Sequence, residues 1–405
     1  MTLQIVGGTY VEICKEPHWS QLFGSGVRAA AALGRRVNST KLWTYVSENM
    51  NRDLSMLGST FKFDLHKIEI PETWKFEYSH PLAIPIISPG WEGWKPPRPL
   101  SVEGKAILRF GIIEGDAIVK GDRVVYDPQS AKMPKYFSEN GSQAKDLAIV
   151  ANFSEAFKLT GMNNVRSMSR EIMKRDGASC VVIKMGTRGA YVTNGIKGTI
   201  VSPQITSQVW SIGSGDIFSA IFTSEWAIKR KGPVQAAVEA SKAVGEYAIS
   251  RSLPIPPRLK KNKSSPARLA TFRDIRENFS RPLIYLAAPF FTMAQRWMVE
   301  QVRKALLDAG LSVFSPYHQV GHGLAHEVVP ADINALERAK AVFAIADGMD
   351  SGTLFEIGFA RAKGIPVIVF VENESQGDLK MLEGTECKIT SDLTTAVYSV
   401  AWKVT

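Results

Sequence analysis

The sequence predicts an α/β protein built from two three-layer α/β domains, each with a mainly parallel sheet. Three observations carry that expectation. Short apolar runs alternate with stretches whose apolar residues recur at helical spacing, in both halves of the chain. In each half an apolar run leads through a turn of small and acidic residues into a helix, where open α/β sheets place their ligands. A basic stretch containing proline and serine lies between the halves. At 405 residues the chain exceeds the ~100–200 residues usual for one domain, and each part is long enough for its own core. The expected division is a first domain at 1–255, a linker at 256–281 and a second domain at 282–405.

In the first domain the informative segment is Ile212-Gly213-Ser214-Gly215-Asp216-Ile217-Phe218-Ser219-Ala220. Two glycines just before a helix let backbone N–H groups point at an anion, and the helix dipole adds favourable potential there. Asp216 stands where it can take a proton from an attacking hydroxyl. An anion cradle, a base and a metal are the parts that phosphoryl transfer needs. Alone, the motif is also an ordinary strand-to-helix turn, and its neighbours distinguish the two. They are Ile5-Val6-Gly7-Gly8-Thr9-Tyr10-Val11-Glu12, Phe23-Gly24-Ser25-Gly26-Val27-Arg28, Val124-Val125-Tyr126-Asp127-Pro128-Gln129, Ala151-Asn152-Phe153-Ser154-Glu155 and Val182-Ile183-Lys184-Met185-Gly186-Thr187-Arg188-Gly189-Ala190.

This order resembles the ribokinase-like (PfkB) sugar and nucleoside kinases over almost the whole segment. The resemblance implies Asp216 as catalytic base and the Gly213, Ser214 and Gly215 backbone as anion hole. Asn152 and Glu155 would organise Mg²⁺ through water, with no direct protein ligand to the metal. Gly186 and Gly189 would line the ATP site, and Glu12, Gly24, Gly26 and Arg28 would face the phosphoryl acceptor. Four positions depart from the family. Trp210 stands where an Asp is usual, Ser211 where Thr is common, Glu12 in place of Asp and Arg28 in place of a sugar-contacting Asn. Arginine is fixed in charge and bidentate. Its presence points to an anionic or larger acceptor, or to a site that binds without turnover.

The linker region holds Arg251, Arg258, Lys260, Lys261, Lys263, Arg268, Arg273, Arg276 and Arg281, opposed by Asp274 and Glu277, along with Pro254, Pro256, Pro257, Ser264, Ser265 and Pro266. Much of the formal net charge of +10 sits here. No aromatic residue interleaves from Arg258 to Arg268, as a single-strand stacking platform would want. A charged hinge is expected, without specific nucleic-acid binding.

The second domain begins with Leu283-Ile284-Tyr285-Leu286-Ala287-Ala288-Pro289-Phe290-Phe291, an apolar strand broken by a small-residue turn. A helix is expected from about Met293 to Ala309, on the spacing of Met298, Val302, Ala305 and Leu306. Ser312-Val313-Phe314 reads as a strand, as does Ala341–Ala346. The latter leads through Asp347-Gly348-Met349-Asp350-Ser351-Gly352-Thr353-Leu354-Phe355-Glu356 into a helix at Ile357–Ala362. Asp350 and Glu356 thus meet at a strand's carboxyl end. Such a pair can hold a sugar hydroxyl with one member while the other attacks or stabilises an anomeric carbon. The competing reading is that Asp350 caps the helix and Glu356 is solvated.

Tyr285 with its small-residue turn, Asp332, Asp350 and Glu356, in that order, resemble the nucleoside 2-deoxyribosyltransferase family across nearly all of 282–400. The resemblance implies that Glu356 is the nucleophile taking the 2-deoxyribosyl group from the base. Asp350 and Asp332 would handle sugar hydroxyls and base protonation, and Tyr285 would orient Glu356. Ala288, Phe291, His318 and Gly352 would contact substrate, and no cofactor is implied. The family also includes hydrolases, and Glu356 alone does not separate transfer from hydrolysis. His318, His322 and His326 recur every four residues, but Gly321 and Gly323 interrupt a helix and no zinc spacing is present. A loop bordering the sugar pocket is expected there, with His318 and His322 as candidates for a substrate phosphate.

Trp74, Trp91 and Trp94 fall in a proline-rich stretch that corresponds to the kinase lid, and packing on the core is expected for most of it. Cys14, Cys180 and Cys387 are scattered, without a disulfide or metal pattern. No basic amino-terminal leader and no apolar run near ~18 residues is present, so a cytoplasmic protein without membrane contact is expected. Together the two resemblances imply a bifunctional nucleoside- or nucleotide-metabolising enzyme acting on small molecules, as a dimer or larger homo-oligomer. The alternative is an effector whose kinase-like domain binds nucleotide without chemistry and regulates the other domain.

Overall fold

The computed structural model of the chain describes residues 1–259, 268–269, 281–321 and 323–404. The basic residues Lys260, Lys261, Lys263, Arg273 and Arg276 and the candidate His322 lie outside the described residues. Two compact units are present, one holding the described residues of Met1–Thr206 and Trp210–Ile275, the other those of Ser207–Val209 and Arg276–Thr405.

The first unit contains β1 (Leu3–Val6), β2 (Val11–Cys14), β3 (Trp19–Leu22), α1 (Gly24–Leu33), β4 (Thr40–Val46), α2 (Asn51–Phe61), β5 (Asp64–Glu69), β6 (Lys75–Tyr78) and β7 (Ile86–Ser88). It continues with β8 (Leu100–Phe110), β9 (Ala117–Asp127), β10 (Gln143–Asn152), α3 (Phe153–Thr160), α4 (Val165–Asp176), β11 (Cys180–Lys184), β12 (Ala190–Thr193) and β13 (Gly198–Val201). α5 (Ser214–Thr223), α6 (Pro233–Ser250) and β14 (Arg268–Leu269) follow. The large sheet has the order β14-β13-β12-β11-β10-β9-β8-β1-β4-β5. Pairing is parallel from β5 through β11 and antiparallel from β11 to β14. A second, four-stranded sheet has the order β3-β2-β6-β7.

Where both faces of the large sheet are covered the strands read as unbroken apolar runs, as at residues 147–151 of β10 and 180–183 of β11. Neighbouring residues divide between the two layers: Ile5, Val125 and Val182 join one core cluster, Val6, Val124 and Val181 the other. All ten residues of α1 are buried. Strand order reverses between β1 and β8, the kind of switch point beside which open α/β sheets hold ligands. Trp74 is fully buried, meeting Trp91 and Trp94 edge-on at 5.1 and 5.3 Å. The indole N–H groups of Trp91 and Trp94 donate to the carbonyls of Ile113 and Glu114. These tryptophans are packing residues.

The second unit runs β15 (Leu283–Ala287), α7 (Met293–Asp308), β16 (Ser312–Phe314), α8 (Pro316–Gln319), α9 (Ala325–Arg338), β17 (Ala341–Ile345), α10 (Ser351–Ala362), β18 (Val367–Phe370), α11 (Gln376–Gly384), β19 (Lys388–Thr390) and α12 (Leu393–Val404). Its five strands pair in parallel in the order β16-β15-β17-β18-β19. The order reverses between β15 and β17, the strands that bring Tyr285 and the Asp350–Glu356 segment together. α10 starts earlier than the apolar spacing indicates, because Asp350 caps it. The Asp350 Oδ2 accepts from the Thr353 N–H at 2.8 Å and from its hydroxyl at 3.0 Å.

Candidate functional site

Each unit brings several of its sequence-predicted polar residues together. In the second unit, Tyr285 is fully buried and its hydroxyl donates to Glu356 Oε1 at 2.5 Å. Glu356 lies in the second turn of α10 and is not a solvated helix residue. Burial pushes its carboxyl up to about 7, the Tyr285 hydrogen bond works against that rise, and the charges of Asp332 and Asp350 add to it. Burial and the Glu356 charge raise the Tyr285 hydroxyl in turn, so it stays a donor. Asp332, on α9, is raised by burial, and its buried Oδ1 has no hydrogen-bond partner among the described residues. Asp350 both caps α10 and biases Glu356 electrostatically; the two readings of that residue are compatible.

Other predicted positions border this cluster or serve the scaffold. A Cβ on Gly352 would lie 3.2 Å from Asp350 Oδ2, next to the capping carboxylate. Ala288 is half-buried, and Phe291 is exposed and stacks on Phe290, which in turn meets Tyr317. The His318 ring is engaged at both nitrogens, Nε2 with Glu300 at 2.9 Å and Nδ1 with Ser315 at 3.1 Å. It is thereby tied to α7 and to the turn before α8. His326 sits exposed in the first turn of α9. The turn after β17 is pinned by Asp347, whose carboxylate accepts from the N–H groups of Glu372 and Asn373.

In the first unit, Glu12 on β2, Arg28 on α1 and Asp216 in the first turn of α5 form one buried ion cluster. Arg28 is 1% exposed, Glu12 5% and Asp216 7%. Arg28 binds both Glu12 oxygens through separate nitrogens, and its Nη1 also donates to Asp216 Oδ2 at 2.9 Å. The other Asp216 oxygen accepts from the Gln129 amide at 2.7 Å. Burial disfavours the Arg28 charge, but Glu12, Tyr247 and Asp216 more than offset this and hold the guanidinium well above its ordinary value. Its two terminal nitrogens are therefore committed within the protein, and Nε is the nitrogen left without a hydrogen-bond partner among the described residues. Gly24 and Gly26 bring α1 to this point: a Cβ would lie 2.6 Å from the Gly8 carbonyl at the first and 2.7 Å from that of Gly7 at the second.

A second cluster stands at the ends of β9, β10 and β11. Lys184 binds Asp127 at 2.7 Å, and the Ser219 hydroxyl donates to the same Asp127 oxygen at 2.6 Å. Asp127 Oδ1 is buried without a hydrogen-bond partner among the described residues. Asn152 and Glu155 close a reciprocal cap on α3, each side chain accepting from the other's backbone N–H at 2.8 Å. Burial and the Asp127 charge push Glu155 up to about 7. Gly213 has φ 77 and caps α5 without a side chain. A Cβ on Gly215 would lie 3.5 Å from Lys184 Nζ. An anion fits this open helix start. Glu155 and the unpartnered Asp127 oxygen suit water-mediated retention of a cation beside it, the chemistry expected for Mg²⁺. Among the described residues no group of three His, Cys, Asp or Glu side chains converges on a direct metal site. Gly186 is open to solvent, whereas Gly189 packs so tightly that a Cβ would lie 2.1 Å from the Val201 carbonyl. Trp210 is core, edge-on to Trp19 and covered by Arg251. Sequence reasoning assigned no role to Gln129 or Lys184. Their polar character at strand ends, inside motifs already recognised, was the available signal.

The same two regions match known families. Residues 117–261 match the pfkB family carbohydrate kinase and residues 284–388 match nucleoside 2-deoxyribosyltransferase. The first match takes in Asn152, Glu155 and Asp216 but stops short of Glu12 and Arg28; the second takes in Tyr285, Asp332, Asp350 and Glu356. No curated protein matches the chain. Solved structures similar to it include a pyrophosphate-dependent kinase in the ribokinase family complexed with a pyrophosphate analog and myo-inositol, at 18% identity and TM-score 0.44 over 64% of this chain and 98% of that one. The fructokinase from Vibrio cholerae O395 bound to fructose, ADP and calcium ion is 14% identical, with TM-score 0.46 over 61% and 92%. The aminoimidazole riboside kinase from Salmonella enterica is 12% identical, with TM-score 0.48 over 63% and 97%. The chain thus joins a kinase-family domain of the PfkB type to a deoxyribosyltransferase-like domain. No helix among the described residues is long and apolar enough to cross a membrane.

Proposed function

We propose that the chain is a bifunctional nucleoside- or nucleotide-metabolising enzyme whose carboxyl-terminal domain cleaves or exchanges an N-glycosidic bond at Glu356. The 2.5 Å contact from the Tyr285 hydroxyl to Glu356 carries this reading. A nucleophilic carboxylate needs a fixed orientation and a partner that favours its charged form, and the phenol supplies both. With Glu356 near neutrality and Asp332 raised by burial, one carboxyl attacks the anomeric carbon while another protonates the departing base. Incubation with a panel of nucleosides, nucleotides and dinucleotides, followed by detection of free base, tests the assignment. Glu356→Ala should abolish base release, and a folded variant that still releases base at the wild-type rate would sink it.

For the amino-terminal domain the proposed activity is phosphorylation of a sugar or nucleoside, with Asp216 as base. ATP is the proposed donor, with its phosphates at Gly213–Gly215 and Mg²⁺ retained through Glu155 and water. Bound Mg²⁺ would neutralise phosphate charge. One observation favours the second reading, binding without transfer: both oxygens of Asp216 already accept hydrogen bonds, from Arg28 and from Gln129. Mg²⁺-dependent transfer from ATP to any acceptor, lost in Asp216→Asn with base release intact, supports the kinase. ATP binding without turnover supports the effector.

A further inference from the structure

Arg28 stands at the N-terminus of α5 with one guanidinium nitrogen unspent. Its two terminal nitrogens go to Glu12 and Asp216. Nε is buried without a hydrogen-bond partner among the described residues, and it lies 2.1 Å from where a Cβ on Gly213 would be. The Tyr247 hydroxyl, close by, donates to the Ile212 carbonyl at 3.2 Å. α5 is ten residues long and its N-cap contributes no side chain, so its first N–H groups keep their full demand for an acceptor. On the same turn, Lys184 Nζ faces Gly215. Two cations therefore flank one helix start.

We propose that Arg28 and Lys184 clamp the terminal phosphate of a polyphosphate, inorganic or nucleoside-linked, at the α5 N-terminus, and that Arg28 occupies the acceptor position so that the ligand is held unreacted. The proposal rests on the reading that Gly213–Gly215 hold phosphate, and it deepens the effector alternative. A hydroxyl acceptor has to reach an Asp216 oxygen from beside the phosphate. The guanidinium already lies there, in contact with both Asp216 and Gly213. Moving it aside would leave Glu12 and Asp216 as buried carboxylates without their cation, a strongly unfavourable state. The same tethering favours binding. Glu12 and Asp216 fix Arg28, and Asp127 fixes Lys184, so little side-chain freedom is lost when a phosphate arrives. Glu12, Asp127, Glu155 and Asp216 all face the cluster, so carboxylates outnumber cations. Affinity must then come from short charge-assisted hydrogen bonds at the two cations rather than from net charge.

Isothermal titration of the full chain with inorganic tripolyphosphate and with ATP tests the clamp. Arg28→Lys keeps a positive charge for Glu12 and Asp216 but lacks the Nε–H, and Lys184→Gln removes the other cation. Each should weaken tripolyphosphate binding at least tenfold, with folding checked by thermal melting; should Arg28→Lys not fold, Lys184→Gln decides. Wild-type affinity in the folded variants overturns the clamp and leaves the phosphate cradle standing. Absence of tripolyphosphate and ATP binding in the wild type removes the cradle reading and the clamp with it. Transfer of phosphate from ATP to a hydroxyl acceptor by the wild type overturns the claim that Arg28 excludes the acceptor. Gain of such transfer in the paired variant Glu12→Asp/Arg28→Asn supports it.

Discussion

Replacing Tyr285 by Phe removes one hydroxyl and leaves the ring packing, and so isolates what that hydroxyl does for Glu356. In the wild type burial pushes the Glu356 carboxyl up to about 7 although the Tyr285 hydrogen bond pulls it down. Without the donor the carboxyl must rise further. A hydrogen bond to a charged group contributes about 1.5–3 kcal/mol, equivalent to roughly one to two pH units. At pH 7 the ionised fraction then falls from about one half to between about one in ten and one in a hundred, so base release should drop roughly five- to fiftyfold. Because the nucleophile must be ionised, the rate climbs as pH rises through the Glu356 titration. The rate profile of Tyr285→Phe should therefore shift to higher pH by one to two units and recover much of its activity at pH 9. Chromatographic assay of free base from pH 5 to 9 reads both quantities. A uniform loss at every pH, with the midpoint unmoved, would refute the electrostatic role and leave Tyr285 as a purely steric support.

Further outcomes follow from other named groups. Glu114 is 1% exposed, accepts from the Tyr10 hydroxyl at 2.7 Å, and is pushed by burial up to about 7. A raised carboxyl favours the folded state when protonated, so its contribution is complete below the unfolded value and fades as pH rises through 7. Glu114→Gln should accordingly match the wild type at pH 4 and exceed its stability by roughly 3 kcal/mol at pH 8, and equal denaturation midpoints at both pH values would contradict this. His318→Ala should change KM for a deoxynucleoside 5′-monophosphate no more than for the free deoxynucleoside, because Glu300 and Ser315 already occupy both ring nitrogens. A selective rise for the monophosphate would return His318 to the substrate.

Apolar strands alternating with amphipathic helices announce both sheets, because that signal is local: a strand or helix declares its buried face within a few residues. The helix start at Asp350 was equally local, although apolar spacing alone placed it several residues late. Partnerships were another matter. Tyr285 and Glu356 lie 71 residues apart, and it is the family resemblance, not the local pattern of either segment, that brings the phenol to the carboxyl. The substitution at Arg28 is visible in sequence as a cation where a neutral amide is usual. Its consequence is not, since the carboxylates that consume the charge sit 16 and 188 residues away. The type of the Arg28 side chain leaves its role open between an anionic or larger acceptor and binding without turnover, whereas a buried cation is defined by what neutralises it. Lys184 makes the same point from the other side: one lysine ending an apolar strand has no periodic signature, yet Asp127 pins it beside Gly215. In this chain Arg28 and Lys184 are positions where residue type and environment disagree, and each is understood only together with the carboxylates that neutralise it.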